Sequence, residues 1–432
     1  MIRTRIVPLA VAVGIAVSQG ANAQEAELRA ELDALRQRVA ELEARLERGD
    51  PAPAGKGGVL RLSRDDLEVS LYGFLTSEAV WESHGTGGDR FLNIVPFAGG
   101  RRQDDDFFLS ANATRLGLRL GSDALEDDLG LSADGLLEVD FDTPGGGPRI
   151  RHAYATLQHP RVEALLGQTW AVAAQLNPET VNSDNLFNLG NVYERVPQVR
   201  LSRELELGGG RLRAEAGLLR FFGGFDQESL DGIPLALQQP GGSTWEIRSS
   251  GTPLGQARLA WWPSGPDAYA AISVSAGRLQ VEDASGRGQS VPHLLSALEL
   301  VLPAWGPFQV SAEAFWGRAP GFNGGVGQTA VIGLDGEARA VESWGGFVQL
   351  AYRVSERLRC HVLFGIDDPE DRAGGVPLAI ARNQTALANC FWGLLPYLDL
   401  ALEVQGVRTE WRSPGRFDAD DLRVTQAVYL RF

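Results

Sequence analysis

Apolar and polar residues alternate one by one through most of this 432-residue chain. A period of two is the side-chain period of a β-strand. The pattern is plain near the start, where Leu67, Val69, Leu71, Gly73 and Leu75 share one face and Glu68, Ser70, Tyr72, Phe74 and Thr76 the other. It recurs as Leu116, Leu118 and Leu120 against Arg115, Gly117 and Arg119, and as Leu137, Val139 and Phe141 against Glu138, Asp140 and Asp142. Further along, Leu212, Ala214 and Ala216 oppose Arg211, Arg213 and Glu215, and Leu398, Leu400, Leu402 and Val404 oppose Asp399, Ala401, Glu403 and Gln405. A soluble β-sandwich would not keep grease on one face of every strand and carboxylates on the other. An all-β transmembrane barrel does, with lipid outside and water inside.

The breaks between segments fit the same architecture. Tight turns are predicted at His159-Pro160, Gly208 to Gly210, Ser264 to Asp267, Gly306-Pro307, Ser355-Glu356 and Leu395-Pro396. Long polar loops are predicted near 82–106, 171–194, 224–253, 319–343 and 408–421. Short turns at one end and long loops at the other is the outer-membrane layout, and the segments number roughly sixteen, an even count as such barrels require. The last segment sets Leu422, Val424, Gln426, Val428, Leu430 and Phe432 on one face, an ending that resembles the signal by which these barrels are recognised for insertion. Trp81, Tyr154, Trp170, Trp261, Trp262, Trp305, Trp316, Trp392 and Trp411 suit interfacial girdles.

The amino-terminal part has a different period. Residues 1–23 read as a secretory signal peptide: Arg3 and Arg5, an apolar core from Ile6 to Val17, then Ala21-Asn22-Ala23. The core is short of the ~20 residues a membrane-anchoring helix needs. Residues 24–48 read as a coiled-coil helix, with Leu28, Leu32, Leu35, Val39, Leu42 and Leu46 on a heptad. Glu31 with Arg36 and Arg38 with Glu43 favour parallel pairing, and Arg38 to Glu43 resembles a short trimer-specifying pattern. A lone amphipathic helix lying on the barrel or on the membrane is the competing reading. Gly49 to Gly58 forms a linker, and 59–432 is the barrel.

The chain carries a net charge of −15, and Lys56 is its one lysine. An acidic total argues against nucleic acid, which needs a basic footprint. Cys360 and Cys390 fall on neighbouring predicted strands. Export permits a cross-strand disulfide there, and two unreactive buried thiols fit equally well. His84, His152, His159, His293 and His361 form no metal-spaced pair, and no GxSxG elbow is present. No catalytic residue, metal or cofactor is therefore expected.

The run RLGLRL…EVDF…PRIRHAYATL…LLGQTW…LNPETV…RVPQVRL, from Arg115 to Leu201, resembles the signature region of the DcaP-type trimeric outer-membrane porins. The likeness extends in organisation over leader, stem, linker, barrel and terminal Phe, and in the second half of the barrel it is one of architecture alone. It implies a homotrimer in the outer membrane of a Gram-negative bacterium, with the stem in the periplasm. It also implies uptake of negatively charged organic solutes, dicarboxylates among them, and a third loop, 171–194, folded into the lumen.

That loop carries Glu179 and Asp184, and loops of such length are commonly functional. The water-facing positions predicted to meet it hold Arg115, Arg119, Arg149, Arg151, Arg200, Arg211 and Arg213, with Arg357, Arg359, Arg423 and Arg431 further round. Guanidinium groups grip carboxylates in a two-pronged way, and charges in a low-dielectric pore concentrate counter-ions. Glu138, Asp140 and Asp142 are expected to pair with some of them. The partners expected are a second and third copy of the chain, small anionic solutes, and outer-membrane lipid or lipopolysaccharide. The alternatives are a phosphate-type anion porin, against which the absence of barrel lysine counts, and a structural tether between outer membrane and peptidoglycan.

Overall fold

The computed structural model describes residues 60–432, apart from 65–66, 85–91, 96–103, 123–129, 144–145, 183–184, 220–244, 250, 264–266, 284–287, 327–328, 333–334, 371, 374–375, 378–379 and 413–416. The leader at 1–23, the helix at 24–48, the linker at 49–58 and Asp184 lie outside the described residues.

Sixteen antiparallel strand positions close into a barrel. The first eight are Leu67–Glu82, Asp106–Ser110 running on as Arg115–Ser122, Ser132–Asp140, Arg149–His159, Val162–Trp170, Arg195–Leu207, Gly210–Leu219, and Trp245–Ser249 running on as Leu254–Trp262. The others are Tyr269–Asp283, Gly288–Val301, Phe308–Arg318, Glu342–Arg353, Leu358–Pro369, Ile380–Leu395, Leu398–Trp411 and Phe417–Arg431. Closure comes from the first strand pairing with the last, in register from Phe74↔Arg431 to Glu82↔Arg423. The Gly73 and Phe432 backbones exchange hydrogen bonds of 3.1 and 3.0 Å at the end of that seam. Leu60–Arg64 pairs with Arg64↔Leu67 to Leu60↔Leu71 just beyond it.

The period of two sorts the side chains as expected. Leu166, Val362, Leu298 and Leu218 stand on the outside, 58 to 65 % exposed. Their neighbours Leu165, Leu363, Ala297 and Leu219 point inward and are buried. An apolar belt of this kind is what lipid demands of a barrel wall. Trp261, Trp305, Trp316 and Trp392 are exposed on that outer face as girdle residues, joined by Trp344. Four of the expected girdle aromatics are not on it. Trp411 is fully buried, Trp262 lies under the Arg211 guanidinium, and Tyr154 and Trp170 both contact the inward-facing His152 ring. The two-residue period itself puts Trp262 on the face of Arg258 and Trp411 on the face of Glu403 and Gln405; aromatic type alone is the misleading signal.

Cys360 and Cys390 are directly opposite each other in the register and form a disulfide. They share their face with the lipid-exposed Val362 and Trp392.

The strands are longer at one place than expected. Pairing continues to Trp411↔Phe417, so much of the loop predicted at 408–421 is wall. The charges of Arg408, Asp418 and Asp420 mimic a loop, but these side chains point outward as an ion-paired rim. The first long loop is not wholly polar either. Leu92, Ile94 and Val95 are buried against Leu186, Leu189, Val326, Phe347, Leu363, Leu387, Val407 and Trp411. Trp411 Nε1 donates to the Val95 carbonyl at 2.9 Å. The barrel therefore holds an apolar core on its inner side.

Candidate functional site

The third long loop follows the fifth strand, Val162–Trp170, and enters the lumen. A backbone brought inside a barrel needs partners for its N–H and C=O groups, and inward side chains from the eighth strand onward supply them. Ala173 N–H donates to Gln256 Oε1 at 2.9 Å, Ala174 N–H to Ser273 Oγ at 3.1 Å and Gln175 N–H to Glu299 Oε1 at 3.2 Å. Val181 N–H donates to Glu403 Oε2 at 2.8 Å, and Val192 N–H to Glu313 Oε1 at 3.3 Å. The Glu179 carbonyl accepts from Gln349 Nε2 at 3.2 Å and Asn389 Nδ2 at 2.9 Å. Tyr429 OH donates to the Val181 carbonyl at 3.0 Å. The loop thus travels round the wall to the last strand and returns.

Glycines let it lie flat. A Cβ on Gly365 would stand 2.1 Å from the Leu189 carbonyl oxygen, and one on Gly190, whose φ is 106°, would stand 2.2 Å from that of Gly346. Glycine inside a strand marks such close backbone approach.

The opposite wall, on the first eight strands, carries the arginines. Arg149 makes a two-pronged contact with Asp140, at 2.9 and 2.8 Å, and reaches Asp142 at 3.1 Å. Arg151 holds Glu138 at 3.1 Å and Asp140 at 2.7 Å. Tyr72 OH donates to the other oxygen of Glu138 at 2.8 Å. Arg115 comes only to 3.5 Å of Glu138. Towards the short-turn end, Arg213 meets Glu163, Glu204 and Glu215 at 2.9, 3.2 and 3.3 Å. Arg200 lies 3.9 Å from Glu215, and Arg211 lies 3.4 Å from Glu204.

Sequence reasoning missed one buried, firmly paired member. Arg258 is buried, bridging Glu299 at 2.9 and 2.8 Å and Glu215 at 3.2 Å. Its signal was available, because Gln256, Arg258 and Ala260 alternate with Ala257, Leu259 and Trp261. Also missed was Arg195, whose guanidinium lies over Trp170, 4.9 Å from the ring centre. It adjoins a chain of edge-to-face rings running Tyr154, His152, Trp170, Tyr193, Phe187, with centroids 5.4 to 6.3 Å apart. That chain links the arginine wall to the loop.

Of the predicted loop acids, Glu179 stands half exposed with Arg359 at 3.2 Å and His361 Nε2 at 3.5 Å. Arg119 faces the lumen over the Tyr72 ring at 4.4 Å. Arg423 pairs with Glu82, and Arg431 with Asp399 at 2.6 Å. Arg357 is not on the wall: it falls in the turn between Glu342–Arg353 and Leu358–Pro369. Its parity with Arg359 is broken where the strand ends. Where the loop rejoins the wall, burial pushes the Glu194 carboxyl up to about 7, against the pull of the Arg195 N–H and the charges of Arg195 and Arg149.

A closed sixteen-strand barrel with an apolar outer belt and its third loop laid through the lumen is the porin fold. No family model and no curated protein matches the sequence. Solved structures do match in fold. The outer membrane channel DcaP of Acinetobacter baumannii superposes with a TM-score of 0.68 at 20% identity, over 86% of this chain and 99% of that one. OmpF of Salmonella typhi, in complex with daunomycin, gives 0.56 at 11% identity, over 86% and 100%. The anion-selective porin of Comamonas acidovorans gives 0.53 at 12% identity, over 85% and 100%.

Proposed function

We propose that the protein is an outer-membrane porin through which small anionic solutes, organic acids and dicarboxylates, diffuse passively. The observation that carries this reading is the division of the lumen. The loop lies against the inner wall from Gln256 to Tyr429, and lumen arginines cluster on the strands before it, which supports a passage running beside them. Guanidinium groups in a narrow passage with low-dielectric walls raise the local anion concentration and match carboxylates geometrically. No energy source enters: the solute moves down its gradient. The short-turn end faces the periplasm and the long loops face outward.

The assembly that goes with it is a homotrimer, each chain closing its own barrel and residues 24–48 joining as a periplasmic coiled coil. Deleting residues 24–50 is expected to weaken trimers while leaving the barrel formed. A robust trimer after that deletion would remove the stem from the assembly.

The test of transport is the reversal potential of the full-length protein in a planar bilayer under a potassium chloride gradient. A potential of the sign set by chloride supports the reading. A potassium-set potential overturns the anion preference, and absence of any conductance favours the tether.

A further inference from the structure

We propose that Arg119 and Arg195, outnumbered by the other lumen arginines, are the residues that set the charge preference of the passage. This rests on the anion-porin reading above and narrows it to two side chains.

The reason lies in the bookkeeping of pairs. Arg115, Arg149 and Arg151 face Glu138, Asp140 and Asp142, three cations against three anions, in one contiguous cluster. Arg200, Arg211, Arg213 and Arg258 face Glu163, Glu204, Glu215 and Glu299, four against four, in a second. Round the rest of the wall, Arg359 is matched by Glu179, Arg423 by Glu82 and Arg431 by Asp399. A guanidinium clamped to a carboxylate presents a dipole whose field dies quickly with distance. An unmatched one presents a full charge, whose field reaches across a lumen.

Among the described arginines facing the lumen from the wall strands, Arg119 and Arg195 have no acid within ion-pair distance. Each lies over an aromatic face instead, Arg119 on Tyr72 at 4.4 Å and Arg195 on Trp170 at 4.9 Å. Glu194 turns its carboxylate to the backbone N–H of Arg195, at 2.7 Å, outside ion-pair distance of the guanidinium. Arg195 Nη1 is buried without a hydrogen-bond partner. A ring holds a guanidinium by its face, so Arg119 keeps its N–H edge for an in-plane carboxylate, while Arg195, shielded at Nη1, acts through its charge. The two are also set apart along the passage. Arg195 begins its strand at the long-loop end, and Arg119 lies close to Ser122 at the short-turn end of its own. A carboxylate solute crosses the field of one and then of the other.

The test uses the full-length protein in planar bilayers, with reversal potential and block of chloride current by succinate as readouts. The wild-type potential tests the anion reading by itself; the variants test this inference. Arg119→Gln with Arg195→Gln is expected to lower the chloride-to-potassium permeability ratio several-fold and to weaken succinate block. The charge-conserving pair Arg119→Lys with Arg195→Lys is expected to keep the ratio. Removing a matched pair on the outward face, Arg318→Gln with Glu342→Gln, is expected to leave both readouts at wild-type values. An anion-selective wild type whose preference survives the double Gln variant overturns the inference, as does loss of preference in the Lys pair or in the matched-pair variant.

Discussion

From Leu67 to Leu219 the inner wall is largely bare, and its charged side chains answer one another across neighbouring strands. From Leu254 to Arg431 the inner wall is covered, and its Gln, Asn, Ser and Glu side chains answer the backbone of the third loop. Both halves read alike as alternating strands. They differ in what the inward face must satisfy: side-chain charges in one, and peptide groups in the other. A loop can be brought into a barrel only where the wall is rich in acceptors for N–H groups and has glycines where backbones touch. The first half lacks that set and keeps its ions for the passage.

This contrast can be broken at its seam. Arg258 stands where the halves meet and neutralises Glu215 and Glu299, which are nearly fully buried. Arg258→Met leaves Glu299 buried without its cation, while Glu215 keeps Arg213 and Arg200; it is expected to cost about 3–5 kcal/mol, read as a lower urea midpoint in liposomes by tryptophan fluorescence. Adding Glu299→Gln should recover part of the loss. If the single variant unfolded at the wild-type midpoint, the seam would not be an ionic brace.

The covered half is further braced from outside by the cystine, which closes a sequence separation of 30 residues. Replacing both cysteines by serine is expected to cost about 2–4 kcal/mol in the same unfolding measurement, with wild-type conductance retained. Next comes the loop seat. Gly365→Ala pushes a methyl group into the Leu189 carbonyl and is expected to cost about 1–3 kcal/mol. It should also lower single-channel conductance by moving the loop towards the arginines. An unchanged conductance would mean that the loop does not bound the passage there.

The smallest effect concerns pH at the junction of loop and bare wall. Burial raises the Glu194 carboxyl to about 7. As pH rises through that value, the group ionises beside Arg149 and Arg195 and offsets their charge. Anion preference should decline modestly between about pH 6 and pH 8, and Glu194→Gln should flatten the dependence. The folded state holds this proton more firmly than the unfolded chain, so the same ionisation lowers stability as pH climbs from the usual carboxyl range towards 7.

The wall was legible because its period is local. Leu116, Leu118 and Leu120 announce their face from three residues, and Glu138, Asp140 and Asp142 announce the other. The inward third loop was reached through family likeness, not from its own residues. What stayed hidden depends on partners far along the chain. Trp411 reads as a girdle residue until Val95, 316 positions away, accepts its N–H. The stretch Phe91 to Phe97, FLNIVPF, is apolar inside a polar loop and was the available hint of the inner core. Arg149 and Arg119 look alike as inward arginines in a sequence. The acids beside one and the bare ring beneath the other become visible only once registers are known.

The apolar cluster of Leu92, Val95, Leu186, Leu189, Val326 and Trp411 uncouples the girth of the cylinder from the bore of the sieve. Strand number fixes the former, while the exclusion limit follows from how much loop is stowed within. Loops tolerate insertion and exchange more readily than walls. The molecular cut-off can therefore be retuned by substitutions that no lipid ever touches, with the membrane-facing shell left as it stands.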